Sequence, residues 1–224
     1  MPVFAVGDIH GCYRALSTLI EQIAPQPGKD SIIFLGDYVD RGPDTKSCLE
    51  LLISLEAKGI ATCLRGNHEE MMTKARSSMS DAHLWLSVGG DTVLDSYNAS
   101  NTDQIPDLHW DFIERLLPYY ETEDAIYVHA GLDPNVPMPD QCKWDLFWEF
   151  FDSPDPHYSG KTMICGHTSQ KSGLPVSVEH AICIDTYVYG ENGWLTGLNV
   201  ETLEYFQANE NGKNRSGTLS VSDH

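Results

Sequence analysis

Six short apolar runs are spaced along the chain, and each is followed within a few residues by side chains that can bind a metal ion or a phosphate. The runs span residues 3–6, 32–35, 60–64, 125–128, 162–165 and 181–184. The residues that follow them are Asp8 and His10, Asp37 with Asp40 and Arg41, Asn67 and His68, His129, His167, and Asp185. Short apolar runs are typical of buried strands, and ligands of open α/β sheets gather outside the carboxyl ends of the strands. The pattern therefore predicts an α/β fold and a metalloenzyme with one site at its strand ends.

Helical spacing separates the first three runs. Apolar residues recur at helical intervals between positions 16 and 23, and again between positions 49 and 55 after a Pro43-Asp44 pair that suits a helix N-terminus. The first 68 residues are thus predicted to be βαβαβ. Right-handed crossovers between parallel strands would bring Asp8, Asp37 and Asn67 to the same edge of the sheet.

The length of 224 residues, with a hydrophobic content of 41%, limits the organisation of the chain. A chain of this size buries one sizeable core, so we expect a single catalytic domain over residues 1–206. Within it, residues 69–120 are predicted to form a helical insertion with a loop at residues 89–91. In this insertion, Trp85 and His83 are interpreted as core or surface residues, and a position in a substrate cleft is the alternative. Residues 207–224 are polar and rich in Asn, Gly and Ser, which predicts a disordered tail.

Charge and cysteine content narrow the choice of partners and compartment. With 33 acidic and 14 basic residues, the formal net charge is −19, which opposes broad attraction to nucleic acids or anionic membranes. We expect neither as a partner. A phosphorylated substrate remains compatible, because bound divalent ions would supply positive charge at the site itself. The six cysteines show no CxxC pairing and no apolar stretch has the length of a membrane span, so a reduced, cytoplasmic protein is expected.

Five motifs follow one another in an order that is far more specific than any one of them alone. They are Gly7-Asp8-Ile9-His10-Gly11, Gly36-Asp37-Tyr38-Val39-Asp40-Arg41-Gly42, Gly66-Asn67-His68-Glu69, His129-Ala130-Gly131-Leu132 and Gly166-His167-Thr168. Over roughly residues 3 to 200, the chain resembles the phosphoprotein phosphatase (PPP) family of calcineurin-like metallophosphoesterases, and within it the bacterial and phage branch. The resemblance implies a two-sheet β sandwich flanked by helices, with the site at the strand ends.

The resemblance also implies a pair of divalent metal ions as cofactor. Asp37 would bridge the two ions, Asp8 and His10 would complete the first ion's ligands, and Asn67, His129 and His167 would complete the second's. Two ions held about 3.5–4 Å apart can bind a phosphoryl group together, which requires a carboxylate able to contact both. Mixed oxygen and imidazole ligands suit manganese best here, with iron or zinc possible, and disfavour calcium.

The resemblance also implies catalytic roles for three further side chains and a second role for one of the metal ligands. His68 would be the general acid, and Asp40 would orient it and support its protonated form. Arg41, together with the metal ligand Asn67, would bind the phosphate of the substrate. Asp185 would support the site from outside it. The expected function is a phosphatase that hydrolyses phosphoserine, phosphothreonine and phosphotyrosine in proteins, and small aryl phosphates, by direct attack of a metal-bridging hydroxide.

One departure from the family pattern leaves the substrate open. The family's second phosphate-binding arginine has no counterpart, because no arginine occurs between Arg115 and Arg215 and the expected place reads Trp148-Glu149-Phe150. One of three lysines, at positions 143, 161 and 171, could substitute, or the site could hold its substrate with one fewer cation. A hydrolase of dinucleoside polyphosphates or small phosphodiesters is therefore the alternative function. A weakly active, metal-bound regulatory module is a second alternative, which the intact His68, Asp40 and Arg41 disfavour.

Overall fold

The computed structural model describes residues 2–220, and within that range the regular elements are seven α-helices and eleven strands. The helices are α1 (Tyr13–Ile23), α2 (Thr45–Ala57), α3 (Asn67–Ala75), α4 (Met79–Trp85), α5 (Asp91–Tyr97), α6 (Asp107–Glu114) and α7 (Lys143–Trp148). The strands are β1 (Val3–Val6), β2 (Ser31–Phe34), β3 (Ala61–Cys63), β4 (Tyr119–Glu121), β5 (Ala125–Val128), β6 (Thr162–Cys165), β7 (Val176–Val178), β8 (Ala181–Cys183), β9 (Leu195–Asn199), β10 (Glu204–Ala208) and β11 (Asn214–Thr218). Of the helices in this part of the chain, none has the length and apolarity that a membrane span requires.

The described strands form two sheets. One has the strand order β11-β10-β9-β1-β2-β3 and the other the order β4-β5-β6-β8-β7. Strands β1, β2 and β3 run parallel to one another, as do β5, β6 and β8, whereas the remaining strands pair antiparallel at the flanks. The six apolar runs of the sequence are therefore the six parallel strands, three in each sheet. The predicted two-sheet sandwich is confirmed.

Alternation of side chains along the strands produces the layers of the sandwich. Ala5 and Ile33 face the core between the two sheets, and Ile164 of the second sheet meets them there. Their neighbours Phe4 and Ile32 point the other way and pack under α1 and α2. The outer face of the second sheet packs against α7 in the same manner. Because both faces of the central strands are buried, these strands read as continuous apolar runs in the sequence.

The region predicted as a helical insertion, residues 69–120, contains most of α3 and all of α4, α5 and α6. The loop expected at residues 89–91 is a sharp kink at Gly89, in the segment Leu86–Gly90 that joins α4 to α5. Gly89 has a φ of 115°, which residues with a Cβ rarely adopt. Its carbonyl accepts a hydrogen bond of 3.1 Å from the backbone nitrogen of Arg41. A Cβ on Gly89 would lie 2.8 Å from that nitrogen, so the insertion packs directly on the loop that follows β2.

The prediction of disorder from residue 207 onward is wrong for residues 207–220, and residues 221–224 lie outside the described part of the chain. Strand β10 crosses the predicted domain end at residue 206 and forms an antiparallel hairpin with β11. The hairpin extends the first sheet beyond β9. Most side chains of β11 are exposed because it is the edge strand, and edge strands favour polar and charged residues. The same composition therefore fits an edge strand as well as a disordered tail.

Buried polar contacts attach this hairpin to the rest of the molecule. Gln207 is fully buried, and its amide nitrogen donates to the carbonyl of Gly173 at 2.9 Å and to Oγ1 of Thr196 at 2.7 Å. Arg215 donates from Nε to Oε1 of Gln207 at 2.7 Å and lies over the ring of Trp194 at 4.2 Å. A buried amide with its hydrogen bonds satisfied positions the segment as specifically as an apolar side chain would.

Candidate active site

The loops that follow the parallel strands of both sheets meet at one edge of the sandwich. They bring together six side chains that we call the ligand cluster: Asp8, His10, Asp37, Asn67, His129 and His167. All are buried except His167, which is half-buried. The sequence predicted each of these residues as a metal ligand, and the structure places all six together.

Asp37 lies at the centre of the ligand cluster. Its Oδ2 is 3.6 Å from Nε2 of His10, and its Oδ1 is 3.4 Å from Nε2 of His129. Asp8 lies with its Oδ2 4.0 Å from Nε2 of His10, and its Oδ1 accepts from the backbone nitrogen of His167 at 3.1 Å. The two oxygens of Asp37 thus face two different groups of potential ligands, an arrangement that suits a bridging carboxylate.

Backbone carbonyls orient two of the imidazoles. The Nδ1 of His10 lies 3.0 Å from the carbonyl oxygen of Val39, and the Nδ1 of His129 lies 2.9 Å from that of Leu35. In both rings Nδ1 carries the proton and donates it, so the lone pair of Nε2 faces the cluster. Burial lowers the pKa of His10 well below its usual range and that of His129 to about 3. Both rings are therefore neutral near pH 7, which is the form that binds metal ions.

Asn67, His129 and His167 bring oxygen and nitrogen atoms together on the second side of the ligand cluster. The Oδ1 of Asn67 lies 2.9 Å from Nε2 of His129 and 3.2 Å from Nδ1 of His167. With the amide reversed, its nitrogen would donate to both rings and to Asp37. Burial also lowers the pKa of His167 to about 3. Oxygen and nitrogen lone pairs that converge in this way fit a divalent cation.

The carboxylates of the site carry a charge that no nearby cation offsets fully. Burial raises the pKa of Asp8 well above its usual range, and repulsion from Asp185 and Asp37 adds to the effect. Burial also raises the pKa of Asp37 to about 6, although the nearby His68 opposes this. Buried carboxylates that repel one another are stable as anions only when a positive charge pairs with them. The donor set and its charge therefore fit two divalent ions.

Backbone strain is concentrated in the same loops. Five residues here have positive φ angles: His10 (45°), Asp37 (51°), Asp40 (70°), Arg41 (69°) and His167 (61°). Residues other than glycine adopt this region rarely, and such strain persists only when surrounding contacts over-determine it. The carbonyl of Asp37, for example, accepts from the backbone nitrogens of both Ile9 and His10. The loops are thus rigidly positioned for the side chains that they carry.

Glu69 holds two of these loops together, a role that the sequence interpretation missed. Its fully buried carboxylate accepts from the backbone nitrogens of Gly66 (2.9 Å), Asp37 (3.0 Å), Tyr38 (2.8 Å) and Val39 (3.3 Å). Burial raises its pKa to about 7. The available signal was its position three residues after Gly66 at the start of α3, which is the position of the glutamate in a capping box.

His68 and Asp40 form what we call the acid pair. The Nδ1 of His68 lies 2.5 Å from Oδ2 of Asp40, while its Nε2 remains 3.9 Å from Oδ2 of Asp37. Burial is the largest influence on both residues, since it lowers the pKa of His68 and raises that of Asp40. The second oxygen of Asp40 accepts from the indole Nε1 of Trp85 at 2.8 Å. Trp85 is only 1% exposed and His83 is exposed, which agrees with their interpretation as core or surface residues. Trp85 is also a partner of the acid pair.

Arg41 is half-buried at the edge of the ligand cluster. Its Nη1 donates to Oη of Tyr189 at 2.5 Å and lies 3.3 Å from Nε2 of His10. The guanidinium carbon lies 4.6 Å from the centre of the Tyr189 ring. The tyrosine therefore holds the guanidinium beside the ligands, where a phosphoryl oxygen would bind. Tyr189 is a second residue that the motifs did not reveal.

The ligand cluster opens into a cavity of about 490 Å³. One side of the cavity is lined by three side chains that we call the aromatic wall, Trp144, Trp148 and Phe150. Of the three lysines considered as substitutes for the missing arginine, Lys171 lines the cavity. Lys161 instead donates to Oε2 of Glu121 at 2.9 Å, and among the residues found to line the cavity Lys143 is absent.

Comparison with known proteins points to one family. The family model described as "Calcineurin-like phosphoesterase" matches residues 1–171. Serine/threonine-protein phosphatase 1 of Salmonella typhimurium is 44% identical over 89 residues, which cover 40% of this chain and 39% of that protein. The symmetrical bis(5'-nucleosyl)-tetraphosphatase of Ectopseudomonas mendocina is 31% identical over 134 residues, which cover 60% of this chain and 46% of that protein. The chain thus matches less than half the length of either relative.

Solved structures resemble this one over nearly its whole length. The cold-active protein-tyrosine phosphatase of a Shewanella species superposes with a TM-score of 0.67 at 17% identity, covering 96% of this chain and 80% of that one. A protein serine/threonine phosphatase from Saccharomyces cerevisiae gives a TM-score of 0.65 at 16% identity, covering 100% of this chain and 81% of that one. At such low identities the likeness shows the fold alone.

Proposed function

Because the chain belongs to the calcineurin-like phosphoesterase family, we propose that it hydrolyses phosphoesters with two divalent metal ions at the ligand cluster. Asp8, His10 and Asp37 would hold one ion, and Asp37, Asn67, His129 and His167 would hold the other. Mixed oxygen and imidazole donors favour manganese, with iron or zinc as alternatives. The single observation that carries this proposal is the division of the two Asp37 oxygens between separate ligand groups, at 3.6 Å from His10 and 3.4 Å from His129.

The roles of the protein's own groups follow from their positions. When bound, two ions would neutralise phosphoryl charge and lower the pKa of a coordinated water. Arg41 would bind phosphoryl oxygens through its planar guanidinium, and the amide of Asn67 would face the same group. His68 would deliver a proton from Nε2 to the leaving oxygen, since its Nδ1 is bonded to Asp40. Asp40 would keep the ring in the orientation in which Nε2 faces the cluster.

Two substrate classes fit this site. The first is phosphomonoesters, namely phosphoserine, phosphothreonine and phosphotyrosine in proteins and small aryl phosphates. The partial similarity to a serine/threonine-protein phosphatase supports it. The second is dinucleoside tetraphosphates, which the similarity to a symmetrical bis(5'-nucleosyl)-tetraphosphatase supports. The complete acid pair and the position of Arg41 support a catalytic role and not a purely regulatory one.

A cytoplasmic location remains a prediction, consistent with the six cysteines, all of them free.

A substrate panel tests the proposal. The manganese-loaded protein is assayed with a phosphoserine peptide, a phosphotyrosine peptide, p-nitrophenyl phosphate and diadenosine tetraphosphate, and its metal content is measured by elemental analysis. We expect two ions per chain and hydrolysis of at least one member of the panel. Asp37→Ala, prepared in parallel, reports any contaminating hydrolase. A protein that holds two ions and yet hydrolyses none of the four above the Asp37→Ala background would overturn the proposed function.

A further inference from the structure

The cavity above the ligand cluster is much larger than a phosphoryl group requires. Its volume of about 490 Å³ lies within the range of clefts that bury ligands of drug or nucleotide size, roughly 300–1,000 Å³. The part of a substrate beyond the reacting phosphorus must therefore occupy the remaining space. The chemistry of the cavity lining indicates what that part is.

The lining of the cavity combines cations with aromatic rings. Arg41 lies beside the ligand cluster, held by Tyr189. The ring of Phe150 lies 5.3 Å from the ring of the ligand His167. Lys171 is the other cation among the described residues that line the cavity. The surroundings of a phosphoryl group at the ligand cluster are therefore asymmetric, because Arg41 offers a cation and Phe150 offers a phenyl ring.

This asymmetry favours a phosphorus atom with two organic or phosphoryl substituents. A phosphomonoester dianion has three oxygens that share the charge, and each gains from a cationic partner. A disubstituted phosphorus has one oxygen fewer to neutralise and a substituent in its place. Against Phe150 such a substituent would lose no ionic contact, whereas an unpaired oxygen would be desolvated at a cost.

The outer part of the aromatic wall presents flat rings to the cavity. Trp144 and Phe150 are 63% and 67% exposed, which is unusual for side chains of their size. The rings of Trp144 and Trp148 lie nearly parallel, at an interplanar angle of 17° with centroids 6.0 Å apart. Trp148 thus supports Trp144 from one side. Exposed rings held in this way provide stacking surfaces for a planar base, and such stacking does not depend on which base is present.

We propose that Trp144 and Phe150 form a subsite for the nucleobase of a substrate whose scissile phosphorus carries two substituents, as in a dinucleoside polyphosphate. The proposal rests on the proposed function and selects the second of its substrate classes. In the reaction, the oxygen of water forms a bond to phosphorus and the bond between that phosphorus and the bridging oxygen breaks. His68 gives its Nε2 proton to the leaving oxygen. The attacking water loses one proton to solvent and keeps the other on the new P–OH group until that group ionises, and His68 regains a proton from solvent. Symmetrical cleavage of diadenosine tetraphosphate would give two molecules of ADP.

Kinetic constants of matched variants test the subsite. The variants are Trp144→Ala, Trp144→Phe, Phe150→Ala and, as a control, Tyr158→Ala. Tyr158 is 63% exposed, like Trp144, but it is not among the residues that line the cavity. With diadenosine tetraphosphate we expect Trp144→Ala and Phe150→Ala to raise KM roughly tenfold, with turnover nearly unchanged. Trp144→Phe should keep most of the wild-type affinity for diadenosine tetraphosphate, and Tyr158→Ala should have no effect.

Substrates without a base distinguish stacking from general damage. A phosphoserine peptide also reaches the cavity but carries no base, so Trp144→Ala should raise its KM much less than it raises KM for diadenosine tetraphosphate. Equal rises in KM for the peptide and for diadenosine tetraphosphate would overturn the proposal, as would an effect confined to a phosphotyrosine peptide. A wild-type protein that hydrolyses phosphomonoesters but not diadenosine tetraphosphate would also overturn it, while leaving the proposed function in place.

Calorimetry tests the subsite independently of turnover. With manganese present, ADP should bind the wild-type protein about tenfold more tightly than it binds Trp144→Ala. Inorganic phosphate should bind both equally, because it reaches only the ligand cluster. Equal affinities of the two proteins for ADP would overturn the subsite even if the enzyme proved to be an active phosphatase.

Discussion

The ligand cluster and the aromatic wall line the same cavity, but different parts of the fold position them. Each member of the ligand cluster follows a parallel strand, and backbone groups fix its orientation, as the carbonyls of Val39 and Leu35 do for His10 and His129. The aromatic wall lies on α7 and just after it, and Trp144 and Phe150 are mostly exposed. The ligand cluster is therefore constrained by the sheets, whereas Trp144 and Phe150 can change with little effect on the sheets. Trp148, the third member of the wall, packs against the core.

This contrast separates reaction chemistry from substrate choice. A substitution in the ligand cluster leaves buried charges or lone pairs unpaired, and it should remove activity on every substrate. A substitution of Trp144 or Phe150, the exposed members of the aromatic wall, should alter affinity for particular substrates while metal content and stability remain the same. The expected effects on activity decrease from substitutions in the ligand cluster to substitutions in the aromatic wall.

The largest effect is expected for Asp37→Ala. Because each oxygen of Asp37 faces a different group of ligands, its removal should weaken binding of both ions and reduce activity on all substrates. The loss should exceed the roughly 10²–10⁴-fold that a general acid supplies. Elemental analysis of the purified variant measures the metal content. A variant that retained two ions per chain would show that Asp37 does not bridge them.

The next effect is expected for His68→Asn, which should lower turnover and leave the metal content unchanged. Loss of proton donation costs roughly 10²–10⁴-fold, and the cost should be smaller for p-nitrophenyl phosphate, whose leaving group needs little protonation. The ratio of turnover on a phosphoserine peptide to turnover on p-nitrophenyl phosphate is the measurement. Equal losses on both substrates, or loss of an ion, would rule out the role of general acid.

The sequence predicts the ligand cluster better than it predicts the contacts that surround it. The six parallel strands and the ligand cluster were predictable because each buried strand is an apolar run and each ligand lies just beyond it. Trp85 was interpreted as a core or surface residue, but its bond to Asp40 was not predicted, because the two residues are 45 positions apart and meet only when the insertion packs on the loop after β2. Such contacts depend on packing and leave no periodic pattern in the sequence.

The polar C-terminal segment shows a second reason for failure. Composition alone does not distinguish a disordered tail from an edge strand, because both expose most of their side chains. Gln207 and Arg215 are polar, yet one is fully buried and the two are hydrogen-bonded to each other. Their partners are Thr196, on the neighbouring strand β9, and Gly173, which lies 42 positions before Arg215. Only the paired structure reveals that these polar groups are satisfied.

A smaller effect is expected for Trp85→Phe, which keeps an aromatic ring in the core and removes the indole N–H that Asp40 accepts. A hydrogen bond to a charged group contributes about 1.5–3 kcal/mol, so turnover on a phosphoserine peptide should fall roughly 10- to 100-fold if the bond orients the acid pair. KM and metal content should remain nearly unchanged.

The control for this variant is Trp110→Phe. Trp110 is also buried, at 4% exposure, but it packs against the guanidinium of Arg76 and not against the acid pair. Both variants should lose some stability to unfolding, and only Trp85→Phe should lose more turnover on the alkyl peptide than on p-nitrophenyl phosphate. If both variants lost turnover equally on the two substrates, Trp85 would be a packing residue without influence on proton transfer.

The smallest effect is expected in the aromatic wall, for Phe150→Arg. The ring of Phe150 lies 5.3 Å from the ring of the ligand His167, so an arginine here would supply a second guanidinium beside the ligand cluster, and KM for p-nitrophenyl phosphate should fall. Since Phe150 is 67% exposed, solvent screening should limit the gain to about fivefold. Lys171→Ala is the matched test of the cation already present, and it should raise KM by a similar factor, whereas Lys161→Ala should not. Unchanged KM in both Phe150→Arg and Lys171→Ala would show that the wall does not contact the phosphate. The wall would then select substrates only through the part of the substrate beyond the phosphorus.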